Sequence, residues 1–153
     1  MKLTRAAEYA IRCVLYLSRH AAGQLVSRRE VAEAMDIPPA FLGKIAQGLA
    51  RAGVLVVRQG ALGGYLLALP PKDISLLRVV EAMDGEILLN ECLASPHHCG
   101  MSPTCPVHGV WAGARKRFRA DLASVSFADL AGCPEPCAGG LCSAGCSRAE
   151  CGN

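Results

Sequence analysis

No window of this 153-residue chain reaches the roughly 18 uncharged apolar residues that a membrane-spanning helix requires, so a role inside a bilayer is not expected. The opening run MKLTRAAEYAIRCVLYLS is broken by Glu8 and Arg12 and has no small-residue cleavage site, so it does not read as a secretory signal; a cytoplasmic protein is expected. An even cysteine count is also missing. Nine cysteines in a chain without an export signal point to metal ligands or redox thiols rather than a disulfide framework. Acidic residues are scarce at one end only: residues 1–60 carry nine Lys/Arg against four Asp/Glu, whereas residues 61–153 carry seven against nine. A basic first part suits a surface that meets a polyanion, although an ordinary solvated basic face has the same composition. With 52% hydrophobic residues the chain can bury one core with a helical appendage, but not two large domains.

Apolar periodicity then places the elements. Ala7, Ile11, Val14, Leu15 and Ser18 recur at helical spacing between Thr4 and about Ala22, with Arg5, Arg12 and Arg19 opposite, and Cys13 falls among apolar neighbours as a buried structural thiol. In SRREVAEAM, Ser27 and Glu30 form a capping-box pattern that starts a short second helix ending near Met35. The segment IPPAFLGKIAQGLARAGVL sets Pro38 and Pro39 in the first turn of a third helix, with Phe41, Leu42, Ile45 and Leu49 as its apolar stripe and Gly53 as its stop. Two short helices joined by a tight turn make a helix-turn-helix pattern. The run VLVVRQGALGGYLLAL, with its turn from Gly60 to Gly64, is then a hairpin in the position of a wing. Ser75 caps a fourth helix through Leu76, Val79, Val80 and Met83, closed at Asp84-Gly85. Val107, Val110, Trp111, Ala114, Phe118 and Leu122 mark a long helix with Arg115, Lys116, Arg117 and Arg119 mostly on its polar side. Its apolar stripe outruns so small a core, so those six residues are the expected dimerisation contacts.

The segment ECLASPHHCGMSPTCPVHGVW holds Cys92, Cys99, Cys105 and His108 in a C-x6-C-x5-C-x2-H pattern. Three thiolates and an imidazole supply four ligands, and such a set accepts either zinc or an iron–sulfur cluster because both are thiophilic. His97 and His98 read as solvated loop residues. The tail pattern of Cys133, Cys137, Cys142, Cys146 and Cys151 matches neither common zinc pairs nor ferredoxin runs, and the Gly/Cys-rich stretch from Gly132 has few large apolar residues to hold a fold. Incidental or redox-active thiols and a second metal site are both compatible with it.

The order of these parts, with the MKLTRAAEYAIR start, the GxxGGY wing and the cysteine loop, resembles the Rrf-two superfamily of iron–sulfur winged-helix transcription regulators (IscR/NsrR-like) over residues 1–125. The resemblance implies a mainly α fold with a small β wing. It divides the chain into a winged helix-turn-helix domain (1–85), a cluster-binding loop (86–106), a dimerisation helix with a short C-terminal helix (107–131) and the tail (132–153). It implies a homodimeric regulator, not an enzyme, acting on double-stranded DNA at a pseudo-palindromic operator, as repressor or activator. Its signal would be iron–sulfur supply, redox state or nitric oxide. Cys92, Cys99, Cys105 and His108 would hold a 2Fe-2S cluster in preference to 4Fe-4S, with Glu8 as an alternative ligand or else an i,i+4 ion pair with Arg12. DNA contacts would come from Arg28, Pro39, Ala40, Lys44, Arg51, Arg58 and Gln59, with Gly63 and Gly64 allowing close backbone approach. Gln59, with Arg58 beside it, stands where family members often carry arginine. The competing readings are a zinc-stabilised DNA-binding regulator and, less favoured, an iron–sulfur or thiol redox protein.

Overall fold

The computed structural model describes residues 3–95, 99–101 and 104–132; His97, His98 and the five tail cysteines lie outside them. Helix α1 (Arg5–Ser18) is capped by Thr4, whose Oγ1 accepts from the Ala7 N–H at 3.2 Å, and it buries Ala7, Ala10, Cys13, Val14 and Leu17. It stops four residues before Ala22 because Ser18 turns its hydroxyl back to the Val14 carbonyl at 2.7 Å, a bond that competes with helix continuation. Ser18 is therefore an end residue, and Leu17 takes the inward position.

A short strand that periodicity did not reveal, β1 (Val26–Ser27), precedes α2 (Arg28–Met35). Ser27 caps α2 by accepting from the Glu30 N–H at 3.2 Å, but the Glu30 carboxylate does not return to the cap; it accepts from the Tyr16 hydroxyl at 3.1 Å and ties α2 to α1. After a left-handed turn at Asp36, helix α3 (Pro39–Arg51) buries Leu42, Ile45, Ala46, Gly48 and Leu49. Phe41, expected in that stripe, is 53% exposed and lies against Tyr9 with ring centroids 6.2 Å apart. Gly53, at φ +67°, turns the chain into β2 (Leu55–Arg58).

Strands β2 and β3 (Gly64–Leu67) form the expected hairpin, and β1 adds to the other side of β3 to give a three-stranded antiparallel sheet in the order β1-β3-β2. Gly64 pairs with Ser27, and a Cβ there would overlap the Val26 carbonyl oxygen and lie 2.8 Å from its carbon. The wing turn is closed by the Gly63 N–H donating to the Gly60 carbonyl at 3.0 Å. A Cβ at Gly63 would overlap the Arg58 carbonyl.

Helix α4 (Leu76–Asp84) starts at Ser75, which accepts from the Arg78 N–H, and ends at Gly85, as expected. Its terminal Asp84 accepts from the Thr4 N–H at 3.1 Å and from the Thr4 hydroxyl, fastening the start of α1. The core is packed from α1, α3, α4, the sheet and Phe127, with Tyr65 and Phe127 its largest fully buried side chains. Burying each large apolar side chain contributes about 1.5–3 kcal/mol, which makes this core the main stabiliser of the domain.

Beyond the core runs α5 (Pro106–Ser124), followed by α6 (Phe127–Gly132). Its C-terminal end is pinned: the Leu76 N–H donates to the Val125 carbonyl and the Phe127 N–H to the Ile74 carbonyl, both at 2.9 Å. None of the residues of α5 is buried. Val107, Val110, Trp111 and Phe118 are exposed at 51, 65, 39 and 37%, while Ala114 and Leu122 are half-buried. Two of its four basic residues are not on a solvated face. Arg115 donates to the Ile87 carbonyl at 2.8 Å and pairs with Glu86, and Arg119 pairs with Glu86 at 2.7 Å and Glu81 at 3.2 Å. An ionic seam thus joins α5 to α4 and the segment after it. Among the described residues, no helix is long and apolar enough to cross a membrane.

Candidate functional site

The helix-turn-helix presents one continuous polar surface. Ala40, Gly43, Lys44, Gln47 and Arg51 are exposed along α3 at spacings of three and four residues, opposite the face that packs on the core. Pro39 opens the helix, and among the described residues no side chain caps its N-terminus. Gln47 was not anticipated, although its place three residues after Lys44 and four before Arg51 is a readable signal.

Between α3 and the wing lies a groove of about 570 Å³ lined by Arg28, Gln47, Arg51, Val57, Gln59 and Tyr65. It adjoins one of about 430 Å³ between α2 and α3, whose lining includes Arg28, Arg29, Glu33 and Pro39. Lys44, Arg51 and Arg58 form no ion pair among the described residues, so their charges are available to an anionic partner. Arg29 is offset by Glu33 at 2.7 Å. Arg28 is engaged differently: its Nη2 donates to Gln59 Oε1 at 3.1 Å, and its guanidinium lies 5.8 Å from the centroid of the Tyr65 ring. The glycine requirement at Gly63 and Gly64 is met inside the chain, by the turn and by β1. Gly64 is buried in the sheet and does not form part of the exposed face.

The thiol-bearing segment is anchored at both ends. Cys92 lies in a single 3-10 turn (Glu91–Leu93) started by Asn90, whose side chain accepts from the Glu91 N–H at 2.9 Å, and this turn packs against α5. Cys105 is the N-cap of α5, and its carbonyl accepts from the His108 N–H at 3.1 Å. Cys92, Cys99 and Cys105 are free, half-buried thiols. Among the described residues, His108 Nδ1 is buried without a hydrogen-bond partner, a costly state for an imidazole nitrogen unless a ligand or water completes it.

Among the described residues, however, no group of three or more His, Cys, Asp or Glu side chains converges on a metal-sized site. Folding alone does not gather the four expected ligands. The chemistry of the set fits a thiophilic metal centre and the unpaired nitrogen fits a fourth ligand, so a bound metal would have to complete the convergence. Glu8 is exposed and makes no ion pair among the described residues; the expected pair with Arg12 is absent because Arg12 lies over the Tyr9 ring, 5.7 Å from its centroid. Cys13 is a different kind of thiol. Burial pushes its pKa up to about 12, which keeps it protonated and unreactive.

A family model described as Rrf2, iron-dependent transcriptional regulator, matches residues 3–132. Protein rrf2 of Nitratidesulfovibrio vulgaris is 32% identical over 130 residues, spanning 85% of this chain and 87% of that protein. The transcriptional regulator NsrR of Bacillus subtilis is 29% identical over 131 residues, spanning 85% of this chain and 90% of that one. Among solved structures, IscR of T. potens superposes with a TM-score of 0.66 at 23% identity, covering 85% of each chain, a likeness that concerns the fold. The winged helix-turn-helix, its free basic face and the extent of the family match lead to one statement: this chain belongs to the Rrf2 family of transcriptional regulators.

Proposed function

We propose that the protein is a homodimeric, sequence-specific DNA-binding regulator whose DNA affinity responds to an iron–sulfur cluster held by Cys92, Cys99, Cys105 and His108, 2Fe-2S in preference to 4Fe-4S. The observation that carries the metal assignment is the buried Nδ1 of His108, without a partner among the described residues, one turn into the helix that Cys105 caps and in the same segment as two further free thiols. When bound, such a cluster supplies a redox-active centre, and one imidazole in place of a thiolate removes a negative charge and raises its potential.

The chain's own residues give that centre a route to the DNA. Glu86 and Ile87, at the start of the thiol segment, are bonded to Arg115 and Arg119 of α5, and Arg119 also reaches Glu81 of α4. Asp84 at the end of α4 holds the first residue before α1, and α1 packs on α2 and α3. A change in the order of the thiol segment therefore bears on both α5 and the helix-turn-helix. Lys44, Arg51 and Arg58 meet phosphates, α3 enters the major groove, and the exposed Val107, Val110, Trp111 and Phe118, with Ala114 and Leu122, pair with a second copy.

The test is anaerobic purification followed by an absorption spectrum with iron and acid-labile sulfide analysis. Iron and sulfide present in the parent, lost on Cys→Ala at any of positions 92, 99 and 105, and weakened or shifted by His108→Ala, is the expected result. A chain truncated after Leu130 should retain both. Colourless protein carrying zinc would replace the cluster by a structural metal, and loss of iron only on truncation would move the site to the tail.

A further inference from the structure

Helix α3 ends at Ala52, and its last carbonyls are closed from two directions. The Gly53 and Val54 N–H groups donate back to the Ala50 and Leu49 carbonyls at 3.0 and 2.9 Å, which finishes the last turn from within the chain. The Ala52 carbonyl is closed from outside: Arg78 of α4 donates to it from Nη2 at 2.9 Å. This guanidinium stands at the negative end of the α3 dipole and makes no ion pair among the described residues. One turn earlier the two helices meet again, so closely that a Cβ at Gly48 would overlap Met83 Cε. The C-terminal half of α3 is thus seated on α4 at two points, which leaves Lys44, Gln47 and Arg51 exposed.

Glu81 lies three residues beyond Arg78 on α4 and is engaged with the other side of the molecule. Its Oε1 accepts from the Ile87 N–H and its Oε2 from Arg119 of α5, both at 3.2 Å. Helix α4 therefore carries, one turn apart, a bond to the end of α3 and a bond to the segment that leads to Cys92. Val79 and Val80, between those two residues, are fully buried, so a close-packed core makes this stretch of α4 shift as one piece. We propose that Arg78 is the positioning residue of α3: through the Ala52 carbonyl it fixes that helix against α4, and α4 passes a displacement at Glu81 to α3 through this bond. Arg78 acts on the DNA only through α3. The inference rests on the DNA-binding reading above and adds the contact that sets the placement of the reading helix.

The experiment uses the full chain and a duplex selected by the parent protein from a random-sequence library. Arg78 is exposed, so its replacement leaves the core intact. Arg78→Ala should weaken binding about fivefold, the scale of one lost hydrogen bond, with the salt dependence unchanged because no phosphate contact is lost. Arg78→Lys, which still donates, should restore most of it. Glu81→Gln keeps an acceptor for the Ile87 N–H but drops the charge that Arg119 meets, and should weaken binding about threefold. The double variant tests transmission: with the Ala52 bond already gone, Glu81→Gln should cost nothing more, and binding should match Arg78→Ala alone. Amide exchange at Gly53 and Val54 reads the clamp without DNA or metal, and should quicken about fivefold in Arg78→Ala. Losses that multiply to about fifteenfold in the double variant would overturn the inference. So would parent-like DNA affinity of Arg78→Ala at a lowered urea midpoint, which marks a role in stability alone, or a salt slope lowered by about one, which marks a phosphate contact. If the parent itself selects no sequence, the underlying DNA-binding reading fails instead, and exchange then decides the clamp: unchanged rates at Gly53 and Val54 overturn it.

Discussion

Replacing Gly64 by alanine isolates what the wing glycine is for. The new methyl would overlap the Val26 carbonyl oxygen and approach its carbon to 2.8 Å, against a backbone strand rather than a side chain that can swing away. Relief requires β1 to move off β3, which breaks the Val26↔Tyr65 and Ser27↔Gly64 pairings. Losing two ladder hydrogen bonds costs about 1–3 kcal/mol, and partial exposure of the fully buried Val26 adds roughly 1 kcal/mol. We therefore expect Gly64→Ala to lose about 2–4 kcal/mol, read as a lower urea midpoint at constant m-value. Ser27 both pairs with Gly64 and caps α2, so the damage should extend to the helix-turn-helix and weaken DNA binding through fold loss. A phosphate-contact role predicts the reverse pattern, weaker DNA binding at unchanged stability. Unfolding of Gly64→Ala at the parent's urea midpoint would refute the intramolecular explanation.

Lys44→Ala and Arg58→Ala should each weaken DNA binding and lower the slope of log affinity against log salt by about one if the residue meets a phosphate; titrations at several salt concentrations check this, and unchanged affinity in both across the series would remove them from the interface. Trp111→Asp and Phe118→Asp should yield monomers or unfolded chains in sedimentation, and folded dimers from both variants would place the interface elsewhere. Cys13 predicts alkaline sensitivity. Its folded pKa of about 12 lies above the ordinary 9.0, so its contribution is fully present below pH 9 and is lost as pH rises towards 12, at about 1.4 kcal/mol per pH unit. Urea midpoints across that window should fall, and the fall should be shallower in Cys13→Ala.

Helix positions were legible where apolar spacing and caps coincided: Ser27, Ser75, Gly53 and Gly85 stand where the sequence placed starts and stops. Strand β1 was not, because two residues are too few to show alternation and its partner lies nearly forty residues on. Phe41 misled because a helical stripe specifies a face but not its edges; Ala46 and Gly48, small residues with little hydropathic weight, fill the inward positions. The free cations Lys44, Arg51 and Arg58 were readable as charge on an exposed face. The internal engagement of Arg28 and the internal role of Gly64 were not, since both depend on contacts between elements that no local pattern encodes. The thiol segment was legible as a donor set and not as a site, for among the described residues its side chains do not close on one point.

The ionic seam of α5 has a bearing on any measurement made in salt. Because no residue of α5 is fully buried and Arg115 and Arg119 tie the helix to Glu81 of α4 and to Glu86 just beyond it, its attachment weakens as the screening length contracts from about 10 Å at 0.1 M to about 3 Å at 1 M. In the dimeric, DNA-bound form proposed above, raising ionic strength would do two things at once, releasing the protein from phosphate and loosening the arm that spaces the two helix-turn-helix units. The steepness of DNA binding against salt in the parent will exceed the number of phosphates it touches. Only the difference between a variant's slope and the parent's, in which the shared contribution of the seam cancels, counts contacts.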